Sequence, residues 1–178
     1  GKGNPHVDGK LNVYYMWEDI LTKDMLLYLI KNFIFVEKEE KEDPKTGVMK
    51  LKENLIFPRY HQLDAIRKLV DDIKINTTAK NYLIEHSAGS GKTKTIAWLA
   101  HRLQSLHDVN EKNIFDSVLI ITDRIVVDQQ LQNAIIAIDH KQGLIKVMDE
   151  KCTSSDLADA LKSNTKIIVS TIQKFRYI

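Results

Sequence analysis

Cysteine is almost absent from this 178-residue chain: Cys152 stands alone, which excludes an internal disulfide framework and suits a reducing compartment. Long apolar runs are missing too. No stretch approaches the ~18 residues that cross a bilayer and no signal-peptide pattern is present, so a soluble, intracellular protein with no membrane partner is expected. Internal repeats and low-complexity tracts are lacking, which argues against a solenoid. A large excess of charge of one sign is also lacking. A formal net charge of +2 with 28% charged residues neither demands nor excludes a polyanionic partner, so a nucleic-acid reading must rest on motifs. What remains is apolar material, 43% of residues, sufficient for one domain with a core plus an appendage.

The most informative stretch is Asn81–Thr95, NYLIEHSAGSGKTKT. Tyr82-Leu83-Ile84 reads as a short apolar strand, Ser87-Ala88-Gly89-Ser90-Gly91-Lys92-Thr93 as a glycine-rich turn, and Ile96, Leu99, Leu103 and Leu106 recur at helical spacing over 92–106. Gly89 and Gly91 allow positive φ and close approach of a ligand, with several N–H groups converging on one concavity. A helix starting at that point adds unpaired N–H groups and the positive end of its dipole, which suits phosphate. Lys92 can reach β- and γ-phosphate oxygens, and the Thr93 hydroxyl can hold a bridging Mg²⁺. The pattern G-x-x-x-x-G-K-[ST] asks for glycine at position 86, where this chain has His86, while both glycines nearest the phosphates are kept. An ordinary glycine turn between strand and helix is the plain alternative.

Upstream, 1–10 reads as a linker, Val13, Tyr15 and Trp17 as a short extended piece, and 21–34 as a helix with Met25, Leu26, Leu29, Ile30 and Phe33 on one face. A hairpin is expected over 34–51, with the run Glu37–Asp43 as its charged, solvated loop. Within that run Glu39-Glu40-Lys41 is an acid-x-Lys triplet of the kind nucleases place on a strand. From Pro58 to Lys74 an amphipathic helix presents Tyr60, Leu63, Ile66, Leu69, Val70 and Ile73 as one stripe, with Arg59 and Gln62 near its start. Beyond the loop, Val118–Ile121 and 166–171 read as strands buried on both faces, Leu144–Met148 as a weaker strand, 124–137 as a helix, and another helix opens near Ser154–Ser155 with Asp156 as capping partner. This alternation predicts an α/β fold with a parallel sheet flanked by helices and ligands at the carboxyl ends of the strands.

PRYHQLDAI, HSAGSGKTKT, VLIITDRIVVDQQL and IIVSTIQKF, in this order, resemble the motor part of the restriction subunit of type I restriction-modification enzymes, which are superfamily 2 helicase-like ATPases. The resemblance covers 58–178 well and 1–57 more loosely. It implies a RecA-like P-loop NTPase domain at 58–178, preceded by an N-terminal α+β lead-in at 1–57 that follows a nuclease domain. It also implies that the chain stops before the family's Asp-Glu-Ala-His motif, for which Asp149-Glu150 is a poor substitute.

By that resemblance Gln62 is similar to the glutamine that reads adenine, with Arg59 against the same base. Ser87, Ala88, Gly89, Ser90, Gly91, Lys92 and Thr93 bind nucleotide, Lys92 and Thr93 serve catalysis, and ATP with Mg²⁺ is implied. Thr122, Asp123 and Arg124, together with Ser170, Thr171 and Gln173, look like motifs that meet the DNA backbone, a role short hydroxyl and amide side chains suit. Strand-end capping is the plain alternative for both. The implied function is ATP-driven translocation of double-stranded DNA before cleavage, in a complex with methylation and specificity subunits. Another superfamily 2 helicase or remodeller, a P-loop phosphotransferase and a non-catalytic module with a degenerate site stay open as rivals. The fragment alone is expected to bind nucleotide weakly and to hydrolyse little.

Overall fold

A computed structural model describes residues 6–43, 45, 47–76, 80–123, 125–138, 145–148 and 152–177. The chain opens with a π-helical turn, Met16–Ile20, then α1 (Lys23–Asn32), β1 (Phe35–Glu42), β2 (Met49–Ile56), α2 (Tyr60–Asn76) and α3 (Lys92–Gln104). It continues with β3 (Val118–Thr122), α4 (Ile125–Ile138), β4 (Ile145–Val147), α5 (Ser154–Lys162), β5 (Ile167–Thr171) and a 3-10 turn, Ile172–Tyr177. No helix among the described residues is long and apolar enough to cross a membrane.

The parallel sheet is ordered β3-β5-β4, with Ile167 of β5 opposite Val118 on one side and Ile145 on the other. Period-two alternation explains why β5 is buried along its whole length. Ile167 and Val169 pack on Ala97 and Ala100 of α3 and on Leu131, Ala134 and Ile135 of α4. Ile168, pointing the other way, packs on Met148 and on Leu157 and Ala160 of α5. The result is an α/β arrangement in three layers. β3 was expected to be buried on both faces, but it is a half-buried strand with Ile121 49% exposed, since β5 is the neighbour that pairs with it. α5 opens with a capping box in which the Thr153 side chain and Asp156 satisfy each other's backbone N–H, one residue earlier than the serines suggested.

The segment before α2 belongs to a second core. Leu29, Phe33 and Phe35 cluster with Leu63, Ile66, Leu69, Val70 and Ile73 of α2, Trp98 of α3, and Leu106. Three α3 side chains spaced four apart fasten it from one helical face. Lys94 Nζ donates to Glu37 at 2.7 Å, Trp98 Nε1 to the Phe33 carbonyl at 2.9 Å, and Arg102 Nη1 to Asn32 Oδ1 at 2.6 Å.

Several local expectations are corrected. Residues 13–17 are not extended: with no strand alongside, their backbone groups bond locally, as in Glu18 N–H to the Tyr14 carbonyl at 3.1 Å. On α1, Leu26 and Ile30 are exposed, because the buried stripe runs through Met25, Leu29 and Phe33 toward Trp98. The run 37–42 is a strand and not a loop. Antiparallel pairing sets Lys38 opposite Glu53, bonded at 3.0 Å, although Lys41 faces Lys50. Tyr60 is 67% exposed at the first turn of α2, outside the stripe. On α3 the buried residues are Thr95, Ala97, Trp98 and Ala100, while Ile96 is exposed, because the helix packs on α2, α4 and the lead-in together.

Candidate nucleotide-binding site

The glycine turn forms as its residues require. Gly89 has φ +71 and Gly91 φ +88, conformations that side chains with a Cβ rarely adopt, and Gly91 is the N-cap of α3. Space matters as well at position 91: a Cβ there would lie 2.7 Å from Gln62 Nε2. Lys92 Nζ donates to the carbonyls of His86 at 3.0 Å and Ser87 at 2.9 Å, so the ammonium is drawn back over the loop that carries it. Ser90 is buried, with an Oγ that has no hydrogen-bond partner. Ser87, Ala88 and Gly89 are exposed and Thr93 is half-buried at the first turn of α3.

The expected strand ahead of the turn does not form. Residues 80–87 have no regular structure, and Tyr82, Leu83 and Ile84 are 41%, 94% and 37% exposed. A parallel strand is held by its neighbours, and the sheet of β3, β5 and β4 does not include this segment. It is tethered instead at its beginning. Tyr82 Oη donates to Asp72 Oδ2 at 2.6 Å, and Lys80 Nζ reaches the same carboxylate at 3.1 Å. The Tyr82 hydroxyl first, then the Lys80 ammonium, holds the Asp72 carboxyl below its usual range.

Gln62 is not the surface residue that its place near a helix start suggested. It is 3% exposed, its Oε1 accepts from the Arg59 backbone N–H at 2.8 Å, and its Nε2 donates to the Gly91 carbonyl at 3.0 Å. Both ends of the amide are therefore engaged by the protein's own backbone, each in one bond. Beside it, His61 Nε2 bonds to the Ser90 carbonyl at 3.0 Å, while the His61 and His86 rings meet edge to face at 4.9 Å. His61 was missed in the sequence, where nothing distinguishes it from a surface histidine. Arg59 keeps an exposed side chain.

The second group of candidates gathers at the carboxyl ends of β3 and β5, where Thr122 and Thr171 are register partners. Thr122, Ser170 and Thr171 are buried, at 9%, 0% and 7% exposure. Asp123 and Gln173 face solvent, joined by Gln173 Nε2 to the Asp123 carbonyl at 3.3 Å. Arg124 and the pair Asp149-Glu150 lie outside the described residues.

A positive-φ turn opens a 13-residue helix and places lysine and threonine at the helix start, an arrangement able to receive an anion. The chain belongs to the SWI2/SNF2 ATPase family, whose model matches residues 61–177. It is similar to two proteins of Methanocaldococcus jannaschii described as type I restriction enzyme endonuclease subunits. With the MjaVIIP subunit it shares 29% identity over 171 residues, 89% of this chain and 15% of the relative. With the MjaVIIIP subunit it shares 34% over 127 residues, 68% of this chain and 11% of the relative. The chain thus spans less than a fifth of the length of either. No solved structure matches it.

Proposed function

We propose that this chain is the ATP-binding part of a RecA-like motor in a type I restriction endonuclease subunit, one that uses ATP hydrolysis to translocate double-stranded DNA before cleavage. The observation that carries the reading is the turn Gly89–Gly91 running directly into α3, with Lys92 Nζ held over it. The names of the two relatives supply the restriction context.

The residues present fit a nucleoside triphosphate with Mg²⁺. Gly89 leaves open space beside its backbone, Gly91 lets the turn close on Gln62, Ser90 contributes a buried hydroxyl without a partner, and α3 presents its positive end. Lys92 would exchange two backbone carbonyls for phosphate oxygens, a gain because the ammonium then faces a full negative charge in place of neutral carbonyl dipoles. Thr93 would hold the metal, whose chemistry is to neutralise charge between the terminal phosphates. Arg59, exposed at the head of α2, would lie against the base. Asp123 and Gln173, with Arg124, would meet the DNA backbone, and buried Thr122, Ser170 and Thr171 would shape that strand end from beneath. Methylation and specificity subunits would anchor the complex, and the site of action would be the cytoplasm.

The test is ATP turnover by the full-length subunit assembled with its partner subunits, with and without double-stranded DNA carrying the recognition site. Stimulation by DNA, reduced at least about 100-fold by Lys92→Ala, is expected for an electrostatic cradle of this kind. Turnover stimulated by a small acceptor and indifferent to DNA would move the assignment to a phosphotransferase.

A further inference from the structure

Two adjacent side chains at the head of α2 grip two adjacent carbonyls of the glycine turn: His61 holds Ser90, and Gln62 holds Gly91. Peptide units are planar, and no peptide bond among the described residues is cis. In a trans unit the C=O and the following N–H point in opposite directions. Drawing the Ser90 carbonyl toward α2 therefore turns the Gly91 N–H away from it, and drawing the Gly91 carbonyl does the same for the Lys92 N–H. Those are two of the donors that a phosphate cradle requires.

Glycine has little conformational preference of its own, so a turn with glycine at 89 and 91 will not hold one set of peptide directions unaided. The grip is well supported. Gln62 is buried and anchored at its other end by the Arg59 N–H, and the Gly91 carbonyl also receives Thr95 N–H at 3.1 Å and Thr95 Oγ1 at 3.3 Å. His61 is steadied by the edge of the His86 ring. The residue that departs from the glycine of the common pattern thus supports the histidine that aims the loop.

We infer that His61 and Gln62 are positioning residues that orient the Gly91 and Lys92 N–H groups toward phosphate, with His86 as the support of His61. This rests on the proposed nucleotide site. It differs from a base-reading role for Gln62 in a measurable way: a positioning residue serves every ligand with the same phosphates, whereas an adenine reader serves adenine nucleotides alone.

The experiment compares equilibrium binding of Mg-ATP, Mg-GTP and Mg-tripolyphosphate to the full 178-residue chain and to its His61→Ala, His61→Gln, Gln62→Ala and His86→Gly variants. A thermal melt without ligand accompanies each. His61→Ala and Gln62→Ala are expected to weaken all three ligands alike, by about five- to tenfold, the scale of one hydrogen bond. His61→Gln, which keeps an amide donor, should recover most of the loss. His86→Gly should lower affinity although it restores the glycine of the pattern. Where a variant melts early, the amide proton shifts of Gly91 and Lys92 in the folded His61→Gln variant give the same reading and should stay close to wild type. Loss confined to ATP in Gln62→Ala, or unchanged affinity in both alanine variants, would overturn the inference. A wild-type chain that binds none of the three ligands would overturn the nucleotide reading itself, and this inference with it.

Discussion

The two flanks of α3 are held very differently. Along one face, Lys94, Trp98 and Arg102 bind the lead-in at three successive turns, with a buried indole at the centre. Ahead of its N-terminus, the start of the approach, 80–84, is fastened at Lys80 and Tyr82 by a single carboxylate on α2, and by position 83 the side chain is almost wholly in solvent. Both segments carry apolar side chains. What differs is whether a neighbour supplies matching surface, and that decides which one becomes structure.

The widest separation between these flanks comes from Trp98. Its indole is fully buried between Phe33 and Phe35, at ring distances of 5.9 and 6.1 Å. Trp98→Ala should cost about 3–5 kcal/mol of stability by denaturant unfolding. Trp98→Phe should cost about 1–3 kcal/mol, because the buried Phe33 carbonyl then loses its donor. A loss below about 1 kcal/mol in Trp98→Ala would mean that the lead-in is not anchored here.

On the other flank the tether is sensitive to pH. The Asp72 carboxyl has its folded value lowered from 3.8, so its contribution is fully present above that value and is lost as pH falls through the lowered one. The Tyr82 ring signals in an NMR titration should therefore hold steady down to about pH 4 and shift only at more acidic pH. Asp72→Asn should abolish the step while leaving the melting of the rest of the fold nearly unchanged. A step near the ordinary carboxylate value would mean that the tyrosine and lysine do not hold Asp72.

The smallest effect is expected at Leu83. At 94% exposure, Leu83→Ser should change stability by no more than about 0.5 kcal/mol. A loss of about 2 kcal/mol or more would place Leu83 in a packed strand and erase the contrast between the flanks.

Much of this was legible from the residues. The glycine turn and the start of α3 follow from backbone freedom at Gly89 and Gly91, and β5 from an apolar run that needs cover on both faces. The Trp98 face of α3 was not legible, since the leucines and Ile96 offered a more regular stripe than the alanines and indole that are buried. Nor was the burial of Gln62, one of whose partners, the Gly91 carbonyl, lies 29 residues away in the chain.

The sequence by itself determined the elements whose cause is local: where backbone can turn left-handed, where Thr153 and Asp156 cap a helix, and where β-branched runs favour strands. Tertiary structure decided which of those runs are strands. A strand is completed by hydrogen bonds to another segment, so Ile167–Thr171, flanked on both sides, is one, and Tyr82–Ile84 is not. It also decided what the phosphate loop rests on, because His61 and Gln62 reach Ser90 and Gly91 only once α2 and α3 share a core through Leu63, Ile66 and Trp98.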